Sequence, residues 1–277
     1  MSVSNAGREW RNHRLAPARV ADAKSGERPE LQYGGERFVE ACQFMQAFTG
    51  ASIASMAKAP NLRGAAAVAQ LAIYLPRLEL RVTASEAGER IRDYLGYRTS
   101  RGVPMHRIAQ GVLTLPEDPE SYLRGRSRQA VRTNMRRAQS DGITTAEVVG
   151  LAARRDTLAA WQERCRDDDR PPLKLDASEV DDAGGRIWLA APDGSGTVLA
   201  LAIATVDREW AMLEVLVASD HPARWLLHTV LVQRLVAAGV RYVFTKPGNA
   251  LVQPENVQHV QRLMGYKVVN ISLPKRT

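Results

Sequence analysis

From Arg186 to Leu273 the chain passes through a fixed order of short apolar strands and helices, and that order leaves few architectures open. The stretches "RIWLAAPDGSGTVLALAIATV" and "REWAMLEVLVAS" hold apolar runs interrupted at "PDGSG", whose Asp-Gly content predicts a hairpin turn. Three consecutive antiparallel strands are expected, at about 186–191, 197–206 and 209–217. "HPARWLLHTVLVQRLVAAG" then starts on a proline near the first helical position and finishes on Gly239, the asymmetry of a helix. "VRYVFTK" reads as a strand, "QPENVQHVQRLMG" as a helix and "YKVVNISL" as a last strand. The fold class is α/β in the α+β sense: a mixed, mostly antiparallel central sheet flanked by helices.

Upstream, "RIAQGVLTLP" (107–116) is strand-like, and Pro116 to Pro119 sets up a helix that ends at Gly142, a residue suited to a left-handed cap. "ITTAEVV" (143–149) is strand-like, "RRDTLAAWQERCRDDD" helical, and an acidic, proline-containing loop covers roughly 167–182. Residues 1–36 are polar and aperiodic, which predicts a flexible N-terminal arm. A helix from Phe38 to Ala57, a break at Pro60, a second apolar helix to about Tyr74, a strand at Leu78–Ala84 and a short helix after it follow. Three segments result: the arm 1–36, an N-terminal helical or mixed extension 37–106 packed on the main domain, and the main domain 107–277.

Charge is concentrated in one place. "YLRGRSRQAVRTNMRRAQSDG" carries six arginines between Arg124 and Arg137, and without them the net charge of +8 falls to +2. A general basic coating for nucleic acid is therefore excluded. An apolar share of 45% with 25% charged residues is that of a globular protein. No apolar stretch has signal-peptide form or reaches the roughly 18 residues of a membrane span, so a cytoplasmic location is expected. Cys42 and Cys165 lie far apart, and the five histidines form no ligand pair, so neither disulfide nor metal chemistry is expected.

In order and residues the region 107–273 resembles GNAT-type acyltransferases, and more closely the branch related to the FemAB aminoacyltransferases. The resemblance rests on the arginine-rich helix "SRQAVRTNMRRAQSDGI", the hairpin "WLAAPDGSGTVLALAIATV" and the ending "VQRLMGYKVVNISL". It implies a GNAT-like fold and direct transfer of an acyl group from a phosphate-bearing donor, acyl-CoA or aminoacyl-tRNA, to an amine on a small molecule or peptide. Where acetyl-CoA users carry a glycine loop that cradles pyrophosphate on backbone N–H groups, this chain has "SDHPARWLLH", without glycine and with Pro222 lacking a donor. That departure favours the FemAB side. The tyrosine that commonly serves as general acid is replaced by Gln261.

The candidate residues follow. Arg124, Arg128, Arg132 and Arg136 recur every four residues and would form one stripe, with Val131, Met135 and Ala138 on a core face. Arg128, Arg132 and Arg136 are candidate phosphate ligands, because guanidinium groups bind phosphate in bidentate fashion. The same stripe could instead be solvated, or neutralised by "RDDDR" and "DASEVDD". Glu214 sits within the apolar strand "AMLEVLV". A buried carboxylate holds its proton more tightly than one in water, which suits a general base, although strand alternation could turn it to solvent or to an arginine. Arg224 and His228, one turn apart, would line the donor pocket. The alternative reading is a non-catalytic nucleic-acid-binding or regulatory module on the same fold.

Overall fold

The computed structural model describes residues 35–49, 62–98, 106–175, 179–180 and 184–274. All but the last two residues of the expected arm 1–36, and the break at Pro60, lie outside them. One eight-stranded sheet organises the chain, in the order β1-β8-β2-β7-β6-β5-β4-β3. Its strands are β1 (Arg77–Glu79), β2 (Gln110–Thr114), β3 (Ala146–Glu147), β4 (Arg186–Pro192), β5 (Val198–Asp207), β6 (Trp210–Ala218), β7 (Tyr242–Asn249) and β8 (Lys267–Ser272). Two neighbouring pairs, β1 with β8 and β6 with β7, run parallel, and the other pairs are antiparallel. The helices are α1 (Glu36–Thr49), α2 (Leu62–Tyr74), α3 (Glu86–Gly96), α4 (Gln129–Ser140), α5 (Leu151–Asp167), α6 (His221–Ala237) and α7 (Glu255–Met264). This is the mixed, mostly antiparallel sheet with flanking helices that the order of elements predicts.

Strand alternation divides the central strands between two layers. Ala202, Ala204, Leu213 and Val243 face Val131 and Ala138 of α4 and Leu227, Leu231 and Leu235 of α6. Small alanines on the sheet and large leucines on the helix let the two surfaces interdigitate. On the other side, Trp188, Leu201, Ile203 and Val215 pack under Leu158, Trp161 and Cys165 of α5. Trp210, Met212, Phe244 and Val269 pack under Ile91 and Leu95 of α3. Helices α1 and α2 meet through Phe38, Ala41 and Leu71 against Val268. Asn270 ties that unit to the sheet: its Nδ2 donates to the Leu71 and Ala72 carbonyls at 3.1 and 3.0 Å, and its Oδ1 accepts from Ala109 N–H at 3.0 Å.

Three expected elements are shortened, two of them for identifiable reasons. β1 stops at Glu79, and the following segment turns onto Asp207, which accepts from Thr83 N–H at 2.6 Å, Thr83 Oγ1 at 2.5 Å and Ser85 Oγ at 2.7 Å. Ser85 in turn caps α3 by accepting from Gly88 N–H. β3 keeps two residues of the seven expected. The arginine helix begins only at Gln129, after short 3₁₀ turns at Pro119–Leu123 and Arg126–Arg128 separated by Gly125 at φ +88°. Arg124 is therefore off the helix, and the four-arginine stripe is broken at its first member.

Candidate functional site

The parallel pair β6/β7 is where the sheet opens. Its ladder runs from Trp210↔Tyr242 to Leu213↔Thr245 and ends, although β6 continues to Ala218 and β7 to Asn249. The cause lies in β6. Against β5, Ile203 pairs with Val215 and Ala204 with Leu213, so Glu214 is the extra residue of a bulge, which bends a strand and increases its twist. Beyond that point the β6 edge facing β7 has no ladder partner on it. β7 breaks from β2 in the same region, where the register moves from Val112↔Phe244 to Gln110↔Asn249. Thr245 stands at the apex of the split. Its carbonyl accepts from Gln110 Nε2 at 2.8 Å and its hydroxyl from Gln261 Nε2 at 3.2 Å. Both glutamines are buried, and the Oε1 of each makes no hydrogen bond among the described residues.

Glu214 itself is spoken for. Arg186 Nε donates to its Oε1 at 3.0 Å and Arg186 Nη2 to its Oε2 at 2.8 Å, with side chains 2% and 3% exposed. Thr205 Oγ1 also donates to Oε1, and Arg186 reaches the Glu179 carbonyl through Nη1. A carboxylate gripped by a guanidinium fork and a hydroxyl, under the layer of α5, offers no free oxygen to an amine. Of the directions open to Glu214, the structure shows the arginine partner and not solvent. Sequence reasoning missed Arg186 and Thr205, which face each other across the β4/β5 ladder, because the bulge in β6 that brings Glu214 to them shifts the register by one residue and is not visible in the sequence.

The turn from β6 into α6 differs from a phosphate cradle. Asp220 caps α6 by accepting from Ala223 N–H at 2.9 Å, and Pro222 occupies the first turn. Of the N–H groups that would face an anion, that of Ala223 is thus taken and Pro222 has none. Arg224 stands in this turn and makes no ion pair among the described residues, with its Nε buried and without a hydrogen bond.

His228 faces the core and not the turn. Its Nδ1 lies 3.3 Å from Tyr122 Oη and its Nε2 3.1 Å from Tyr266 Oη, while Tyr122 Oη donates to the Met264 carbonyl at 3.1 Å. Burial first, and then the positive charge of Arg128, push its pKa down to about 3, so it is neutral at pH 7. Expected beside the donor, His228 is here a packed link between α6, α7 and the Tyr122 turn. Burial lifts the Tyr122 phenol well above its ordinary range.

The arginines of the charged segment separate by role. Arg128 stacks 5.0 Å from the Tyr122 ring centroid, donates to the Leu263 carbonyl at 3.3 Å, and lies flat against Gly265, where a Cβ would come within 2.0 Å of its Nη2. Arg132 Nη1 donates to the Leu123 carbonyl at 2.5 Å and the Gly125 carbonyl at 2.8 Å. These two, expected as phosphate ligands, spend their donors on backbone. Arg136 and Arg126 are exposed and have no carboxylate partner among the described residues. Among the described residues of the acidic loop, Asp168 pairs with Arg164 and Arg170, and Glu179 with Arg186.

Among the described residues no group of three or more His, Cys, Asp or Glu could hold a metal ion, and no helix is long and apolar enough to cross a membrane. Cys42 and Cys165 are buried free thiols. A hollow of about 390 Å³ lined by Arg92, Asp93, Tyr97 and Leu273 lies at the end of α3 and contains none of the residues above.

No family model matches the chain, and no curated protein matches it. Solved structures similar to part of it include the C-terminal domain assigned to a lysylphosphatidylglycerol synthetase of Agrobacterium fabrum, 14% identical over 58% of this chain and 58% of that one, with a TM-score of 0.42. A conserved protein of unknown function from Bacteroides thetaiotaomicron is 12% identical over 60% of this chain and 61% of its own, with a TM-score of 0.44. An aminoglycoside 6'-N-acetyltransferase of Acinetobacter baumannii is 15% identical, covers 49% of this chain and 98% of its own, and has a TM-score of 0.34. This chain thus spans about three fifths of the length of the first two. These are partial likenesses of fold, and the chemistry below rests on this chain's own residues.

Proposed function

We propose that the chain is a GNAT-like acyl- or aminoacyltransferase, on the FemAB side of that superfamily, which works in the cleft between β6 and β7. The observation that carries this reading is the bulge at Glu214, beyond which two parallel strands part and leave the β6 edge without a ladder partner on one side. Such an edge can hydrogen-bond the amides of an extended donor and direct a backbone N–H at the acyl oxygen. Transfer is direct: the amine nitrogen bonds to the acyl carbon, the bond from that carbon to the donor's sulfur or oxygen breaks, and the amine's proton ends on the released thiol or hydroxyl. Holding amine and acyl carbon together supplies most of the acceleration, as alignment alone can contribute several kcal/mol (~7–11 in favourable cases). Thr245, with Gln110 and Gln261 behind it, forms the floor at which the two reactants meet. Arg186 and Glu214 keep the bulge in shape and take no proton.

The capped, proline-containing start of α6 favours a donor held by side chains over one held by a glycine loop, which supports aminoacyl-tRNA or a larger activated acyl group over plain acetyl-CoA. Hydrogen exchange tests the reading. With acetyl-CoA, a long-chain acyl-CoA and an aminoacyl-tRNA offered in turn, one donor is expected to slow exchange at residues 214–218 and 245–246 and to raise the melting temperature by a few degrees at about 100 times its dissociation constant. Protection only over 126–137, lost with salt and indifferent to the acyl group, would favour the nucleic-acid-binding module instead, since Arg126 and Arg136 are the arginines left free for a phosphate backbone.

A further inference from the structure

The two faces of the split at Thr245 are built differently. Toward α6 and α7 it is packed shut: the Thr245 hydroxyl is held by Gln261, and Leu213, Val243, Met264 and Tyr266 are buried in one cluster on that side. Toward α3 the next residue, Lys246, is only half-buried. Phe244 lies in the α3 layer, so strand alternation turns Lys246 the same way, and its Nζ stands 5.8 Å from the Tyr94 ring centroid. Lys246 makes no ion pair among the described residues. Glu214, the carboxylate on the β6 side of the split, is bound by Arg186. Tyr94 also stacks on His106 at 4.3 Å, so the lysine stands against an aromatic wall.

Gln110 stands on the same face. It pairs with Val269 across the β2/β8 ladder, and residues opposite each other in an antiparallel pair share a face, which for Val269 is that of the α3 layer. Its side chain is fully buried and reaches the Thr245 carbonyl through Nε2. A carbonyl only accepts, so the amide must present Nε2 to it, and Oε1 is left as a buried acceptor with no hydrogen bond among the described residues. Leaving such an atom unmet is costly, and a ligand's N–H would offset the cost. The α3 side of the split therefore offers, next to Thr245, an acceptor without a donor and a cation without an anion. A molecule carrying an amine and a carboxylate a few bonds apart complements both. The compact single charge of the lysine matches one carboxylate, and the Tyr94 ring lies beside it for the molecule's apolar part.

We propose that the acceptor is an amino acid that enters from the α3 face, its carboxylate held by Lys246 and its amine by Gln110 Oε1. Calling this ligand the acceptor rests on the acyl-transfer reading, whereas its binding does not. Alanine, leucine and phenylalanine, each beside its amide, are titrated calorimetrically into the full-length chain. At least one of the acids is expected to bind, and its amide to bind about tenfold or more weakly. Lys246→Met should weaken the acid to the level of the amide and leave the amide unchanged, and Lys246→Arg should restore part of the preference. Gln110→Leu, compared once its melting curve shows it folded, should weaken acid and amide alike, since both carry the amine. A lysine with only a structural role would not move the ratio of the two. No acid bound by wild type, acid and amide bound equally, or a ratio unchanged in Lys246→Met overturns the site, and unchanged binding by folded Gln110→Leu overturns its amine end. Binding through Lys246 with no acyl transfer onto the bound amino acid from any donor keeps the site and sinks the transfer reading. Acyl transfer to amines with the same KM for acid and amide, in wild type and Lys246→Met alike, does the reverse.

Discussion

Removing one partner of the Arg186–Glu214 pair separates the two roles a buried strand glutamate can have. In Glu214→Leu the Arg186 charge stays under α5 with only the Glu179 carbonyl and its carboxylate at 3.9 Å for company, and the Thr205 hydroxyl loses its acceptor. In Arg186→Met the Glu214 carboxylate keeps only that hydroxyl. Breaking a buried pair costs about 3–5 kcal/mol, because the survivor is a buried charge without compensation. Glu214→Leu should fall near the lower end, about 3 kcal/mol, since Glu179 remains, and Arg186→Met nearer 5. The double variant, with two apolar side chains of similar size facing each other, should return to within about 1 kcal/mol of wild type. Urea unfolding at pH 7, followed by tryptophan fluorescence and circular dichroism, measures the cycle, and a coupling energy of about 3 kcal/mol or more is expected. Single variants that each lose less than about 1 kcal/mol, with losses that add, would refute the reasoning. The folded double variant also tests the proton role. It should still bind donor and transfer the acyl group, whereas a general base would be lost with it.

Other consequences can be measured separately. His228 has a folded pKa of about 3 against about 6.5 unfolded, so between those values the unfolded chain binds the extra proton and stability falls as the pH is lowered. The slope should approach about 1.4 kcal/mol per pH unit between pH 6 and 4, and His228→Phe should remove that share of it. Gly265→Ala introduces a side chain at φ +91° and against the Arg128 guanidinium, and should lower stability by roughly 1–3 kcal/mol. Adding Arg128→Ala should recover the clash and leave the backbone strain, which a double-mutant cycle in urea resolves. Asp207→Ala removes the acceptor of three hydrogen bonds and should cost roughly 2–4 kcal/mol, with faster hydrogen exchange over the first turn of α3.

The central half of the sheet is legible in the sequence because its signals are local. A hairpin at "PDGSG", alternation in β4 to β6, and helix ends marked by Pro222, Gly239 and Gly265 each read within a few residues, and the strands fall within about two residues of expectation. What was misread depends on contacts distant in sequence. The expected strand 78–84 gives way because Thr83 and Ser85 bond to an aspartate 124 and 122 positions later. The arginine segment was misjudged for a related reason. A four-residue period assumes that a helix is already running, and Gly125 postpones its start to Gln129.

That delay decides what the arginines can do. With the chain still turning at Leu123 and Gly125, their carbonyls lie within reach of Arg132, one turn into the helix, and Arg132 satisfies them in place of an anion. Arg128, at the junction, is drawn over Tyr122 onto the end of α7, where Gly265 has no side chain to keep it away. A guanidinium that completes backbone hydrogen bonds and one that awaits a phosphate are the same residue in a sequence, and only the acceptors around it distinguish them. Arg128 and Arg132, at the start of the arginine segment, fasten it to the end of α7 and to the turn before it.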